Sequence, residues 1–195
     1  MALSRTRTLT ACALAVALIA LSACISIPIG PVPFTLQTFM VGLVLLILPG
    51  FQSVAVVALY LLLGLAGLPI FAGLQAGPAA LFGPAGGFLM SYLLSALLIS
   101  VLRRALDLKS KPHPDNHLAL QRPQRSLRPR VLDALLALLF LLISYLGGSL
   151  WYLFSAGVGL PAALLVCVLP FVIPDLAKLV VVVLIAPLLR QVLPV

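Results

Sequence analysis

Apolar residues in this chain run in long blocks separated by Gly, Pro or charge, with no strand-like alternation. The blocks predict six helices, at about 8–26, 36–49, 52–67, 85–102, 131–151 and 174–193. Blocks apolar on every side belong in lipid or deep in protein. The second is short, and "LPGFQ" (48–52) joins it to the third through a tight turn with two breakers. Segment 159–173 is too short and too rich in Pro for a span of its own. It reads as a half-helix entering the protein from one side, allowed only where protein or a cavity covers its backbone.

Composition makes the class explicit. The 195 residues are 63% hydrophobic and 8% charged, with a mean hydropathy of +1.27. A soluble domain carries about 25% charged residues, and one of this size still leaves roughly 30% of its surface in water. The expected fold is therefore an all-α membrane protein of six transmembrane helices, forming a single domain over 1–195.

The net charge of +8 is distributed like that of a membrane protein. Arg5 and Arg7 open the chain, eight Lys and Arg fall within 103–130, and Arg190 is near the end. Basic residues flanking spans mark the cytoplasmic side. Six spans with both termini cytoplasmic place eleven of the twelve basic residues inside, leaving only Lys178. The basic loop 103–130 has no Tyr, Trp or Phe to stack bases, which argues against a nucleic-acid partner. The surroundings are membrane lipid.

This topology gathers three stretches on the outer face: "IPIGPVPFT" (27–35), "GLPIFAGLQAGPAALFGPAGG" (67–87) and about 152–173. The first two are apolar and dense in Gly and Pro, which set fixed turns. They predict structured outer loops that lie over a pocket.

A basic start, an apolar run and "LSAC" (21–24) also match a lipoprotein signal. Its removal would leave five spans and break the charge agreement, so the segment is read as a helix. Three cysteines without CxxC spacing suggest neither a metal site nor a disulfide framework. "KPHPDNH" (111–117) reads as a solvated linker, and no cofactor is expected.

The chemistry concentrates in "PFVIPDLAKLV" (170–180). Pro174 suits a first helical turn, so Asp175 falls at a helix N-terminus, where the dipole favours an anion. Lys178 shares its face one turn on. Each charge at membrane depth costs roughly 2.5–3.5 kcal/mol, so both should face the bundle or a watery cavity. A ligand site, an ion pair locking the helices and a snorkelling lysine all fit; a neutral ligand with donors and acceptors suits the pair.

Four motifs, "PVPFTLQTFMVGL" (31–43), "LYLLLGLAGLPIFAG" (59–73), "FGPAGGFL" (82–89) and "LPFVIPDLAK" (169–178), resemble the BioY family. Its members are the biotin-binding S components of energy-coupling-factor (ECF) vitamin transporters. The family's usual GPTGGY reads "GPAGGF" here, so Ala85 and Phe88 each lack a hydroxyl. The resemblance implies a six-helix bundle closed by outer loops, in a bacterial inner membrane. It implies that Asp175 accepts ureido N–H bonds while Lys178 donates to the ureido carbonyl or neutralises the acidic tail. Thr35, Gln37 and Gln75 become candidate polar contacts, and Tyr60, Phe71 and Trp151 candidate apolar walls. Implied partners are a membrane coupling subunit and two ATPase subunits. Small-xxx-small pairs in the first helix, Ala11/Ala15 and Ala13/Ala17, offer the coupling subunit a close-contact face.

The chain has no GxxxxGK[ST] of its own. An ion-coupled secondary transporter of a small polar solute is the alternative, with Asp175 titrating, but neither paired repeats nor further intramembrane ionisable groups are found. His113 and His117 fall in the polar loop far from Asp175, so no enzyme site assembles.

Overall fold

A computed structural model describes residues 2–48, 50–109 and 127–192. The helices are α1 (Ala2–Cys24), α2 (Gln37–Ile47), α3 (Phe51–Leu65), α4 (Gly77–Leu81), α5 (Gly86–Lys109), α6 (Leu127–Ala156), α7 (Leu160–Cys167) and α8 (Val172–Val192). A 3₁₀ turn spans Ala72–Leu74. Two short strands, β1 (Ser26–Ile27) and β2 (Phe34–Thr35), pair antiparallel. The first Gly/Pro-rich loop is therefore a small hairpin rather than pure coil.

The expectation of six spanning helices meets a more varied set. Among the described residues, four helical stretches are long and apolar enough to cross a membrane: Thr6–Cys24, Gly86–Leu106, Arg130–Ala156 and Val172–Gln191. Helix α2 has 11 residues, or about 17 Å at 1.5 Å per residue, against roughly 30 Å of hydrocarbon. Helix α3, with 15 residues, is also short. The apolar blocks hid this difference because α2 is buried in protein, not lipid: every residue from Val41 to Leu46 is buried. A turn through Gly50, at φ 54°, joins α2 to α3.

The boundaries of the basic loop also change. Residues 103–109 continue α5 and 127–130 begin α6. His113, His117 and the rest of "KPHPDNH" lie outside the described residues. The expected half-helix is only partly found: α7 has eight residues and packs against α6, but only Ala163 and Cys167 are buried, so it lies on the bundle rather than entering it.

Helices α2, α5, α6 and α8 meet at both ends. At the end remote from the hairpin, Asp133 (α6) accepts from Arg190 (α8) at Oδ2 (2.9 Å) and Oδ1 (2.7 Å). Arg103 (α5) adds a longer bond to Oδ1, 3.3 Å. The two arginines also donate to the Leu46 carbonyl, near the C-terminus of α2, at 2.7–3.0 Å. This cluster satisfies a carbonyl that the helix end leaves open and binds four helices together.

Candidate ligand-binding site

At the opposite end α2, α6 and α8 carry a second polar cluster. Asp175 lies in the first turn of α8, one turn before Lys178. Its Oδ1 accepts from Lys178 Nζ (2.8 Å) and from the Thr38 hydroxyl (2.9 Å), while Oδ2 accepts from the Tyr145 hydroxyl (2.9 Å). Lys178 also donates to Thr38 Oγ1 (3.1 Å) and to the Thr35 carbonyl of β2 (2.6 Å). Its ammonium stands 3.8 Å from the centre of the Phe34 ring, an arrangement in which the ring quadrupole favours the cation. Phe34 in turn lies parallel to Phe171, ring centres 6.2 Å apart. The pair thus joins α8 to α2, α6 and the hairpin.

The cluster forms the floor of a pocket that is partly open to the exterior. Small-ligand sites are usually apolar clefts with a few placed polar groups, and this lining has that character. The walls come from the hairpin, from the turn at 71–75 and from the start of α5, where Phe88 and Leu89 enter. A side chain at Gly148 would overlap the Phe88 ring, so glycine there lets Phe88 lie flat on α6.

The candidates from sequence fall into three groups. Asp175, Lys178, Thr35, Gln37, Phe71 and Gln75 all line the pocket. Gln37 is buried with its amide engaged: Nε2 donates to the Tyr60 hydroxyl and Oε1 accepts from Thr35 Oγ1. Gln75 is exposed at the mouth.

Tyr60 and Trp151, expected as walls, are not brought to the pocket lining. Tyr60 is fully buried behind it, donates to the Ile70 carbonyl at 3.0 Å and meets Phe71 edge to face. Trp151 instead donates its indole N–H to the Gly83 carbonyl, 2.9 Å away. Each supports a lining loop from outside.

The four alanines of α1 do not share a face. Ala15 is buried and Ala11 half-buried, while Ala13 and Ala17 are exposed. At 3.6 residues per turn, positions two apart point to nearly opposite sides. The exposed pair is therefore Ala13/Ala17.

Sequence reasoning missed Thr38, Tyr145, Phe34 and Tyr92, all of them in the lining. Thr38 and Tyr145 did carry a signal: a hydroxyl inside an apolar helix needs a partner.

Fold and site together define a multi-pass helical membrane protein with a pocket for a small ligand having both polar and apolar parts. The chain belongs to the BioY family, whose profile matches residues 1–195. Biotin transporter BioY2 of Lactococcus lactis subsp. cremoris is 37% identical over 174 residues, 89% of this chain and 85% of the relative. The probable biotin transporter BioY of Pyrococcus horikoshii is 35% identical over 91% of this chain and 93% of its own. A crystal structure of the S-component for biotin from an ECF-type ABC transporter superposes with a TM-score of 0.81. It is 26% identical and covers 98% of this chain and 94% of that one. The family and these relatives are transporters, not enzymes.

Proposed function

We propose that this chain takes up biotin as the substrate-binding component of an ECF-type transporter, with Asp175 and Lys178 as the core of its binding site. The observation that carries the site is the ion pair in the floor of a pocket with aromatic walls. Biotin has two ureido N–H donors, a carbonyl acceptor, an apolar thioether ring and an acidic tail. A ureido N–H meeting the Asp175 carboxylate forms a charge-assisted bond, stronger than a neutral one. Phe34, Phe71 and Phe171 supply apolar surface for the rings, and Gln75 stands where a tail would leave.

The chain spans a bacterial inner membrane with both termini cytoplasmic, so the Asp133 cluster faces the cytoplasm and the pocket faces out. Arginines at that end agree with the excess of basic residues on cytoplasmic flanks. A membrane coupling subunit and two ATPase subunits complete the transporter. Ala13 and Ala17 support docking on α1, since small exposed side chains allow close helix approach.

The test is equilibrium binding of labelled biotin to the purified chain in detergent, with thiamine and riboflavin as competitors. Saturable binding displaced by neither competitor is expected, and Asp175→Asn or Lys178→Ala should weaken biotin capture by roughly tenfold or more while leaving membrane insertion intact. Folded protein that ignores biotin would overturn the assignment.

A further inference from the structure

We propose that Thr38 is a positioning residue that divides the Asp175 carboxylate into a structural oxygen and a ligand-receiving one. This deepens the biotin reading and rests on it for the identity of the ligand. The argument is a count of donors and acceptors. An ammonium has three hydrogens, and Lys178 has three acceptors in reach: Thr35 O, Thr38 Oγ1 and Asp175 Oδ1. A hydroxyl has one hydrogen, and Thr38 gives it to Asp175 Oδ1. Oδ1 thus receives two bonds and is filled. Oδ2 receives one, from Tyr145, which leaves it an open acceptor position. Asp175 and Tyr145 both line the cavity. A ligand N–H therefore finds its place at Oδ2 beside the Tyr145 hydroxyl.

Thr38 holds this arrangement because a hydroxyl accepts from the ammonium and donates to the carboxylate at the same time. Valine has nearly the same shape and does neither. Without the hydroxyl, one hydrogen of Lys178 and one acceptor position on Oδ1 lose their partners. The carboxylate then turns more freely, and its two oxygens become interchangeable. Thr38 opens α2 from its second position and touches residues on α8, so it also fixes the register of these helices at the pocket.

Two readouts on the purified full chain separate this role from simple packing. The first needs no ligand: the rate at which acetic anhydride labels Lys178, followed by peptide mass spectrometry. Thr38→Val should label several-fold faster than the unmodified chain, and Thr38→Ser at the same rate. The second is biotin affinity, expected to fall about tenfold in Thr38→Val, as for loss of a hydrogen bond to a charged group, and to recover in Thr38→Ser. Unchanged labelling and affinity in Thr38→Val would overturn the proposal. So would a serine variant as impaired as the valine one, since the methyl group and not the hydroxyl would then matter. If the unmodified chain ignores biotin, the functional reading fails, while the labelling rates still decide whether Thr38 organises the pair.

Discussion

Asp175 and Asp133 are both buried carboxylates at helix crossings, each paired with cations and each joining several helices. Their surroundings differ. Asp133 receives three bonds from two guanidinium groups, and those same groups fill the Leu46 carbonyl. Asp175 has one cation, two hydroxyl donors and a cavity beside it. A buried ion pair is therefore a poor marker of a site by itself. One cluster acts as a cross-link between helices; the other keeps an acceptor position beside aromatic walls, as the proposed binding site requires.

The strongest way to break this comparison is Asp133→Ala. It removes the carboxylate that Arg103 and Arg190 share, and removing one member of a buried ionic cluster costs about 3–5 kcal/mol. A large fall in the unfolding temperature in detergent is expected, with near-normal biotin affinity in the protein that remains folded. An affinity loss as large as the stability loss would mean that the two ends are not separate in function.

The two clusters also differed in how far sequence could reveal them. Asp175 and Lys178 are three residues apart on one helix, so spacing alone placed them together. Asp133, Arg103 and Arg190 lie on three helices, and only packing brings them together. Arg103 read as loop because charge ended the apolar block, although α5 continues to Lys109. The bundle and its capped pocket were legible from apolar blocks and Gly/Pro loops. The hydroxyl of Thr38 signalled a partner but not which one, since Asp175 lies 137 residues away. Tyr60 and Trp151 were misplaced as walls because an aromatic residue near a loop can line a pocket or brace it from behind, and periodicity does not distinguish these.

The reverse experiment is Asp175→Asn. Loss of a charge-assisted bond to the ligand corresponds to about 1.5–3 kcal/mol, or roughly 10- to 150-fold in affinity. The unfolding temperature should fall less than in Asp133→Ala, because Lys178 keeps Thr35, Thr38 and Phe34. Titration calorimetry beside a thermal melt reads both quantities.

Phe34→Leu sharpens the contrast further. It removes the ring beneath the Lys178 ammonium and with it the stacking on Phe171. A cation over an aromatic face contributes about 0.5–2 kcal/mol, so biotin affinity should fall by up to roughly 2- to 30-fold, with a loss of folding stability no larger than the same range. Equal affinity would remove the hairpin from the proposed binding site.

The smallest effect is expected from Trp151→Phe, which deletes the indole bond to the Gly83 carbonyl. About 0.5–1.5 kcal/mol of stability should be lost, and biotin dissociation should quicken only slightly. A strong effect on equilibrium affinity would place Trp151 among the ligand contacts after all.

Gly64 adds a constraint of another kind. It is buried in α3 and does not itself line the pocket, yet a methyl group there would occupy the space of the Phe71 ring. Glycine inside a helix costs roughly 1 kcal/mol relative to alanine, so α3 gives up stability for a notch that receives a wall residue from the next loop. Positions 64 and 71 are thus a lock and its bolt, and neither can be exchanged alone without misshaping the chamber. Any redesign of this protein for a bulkier vitamin would begin with that pair, from outside the binding site.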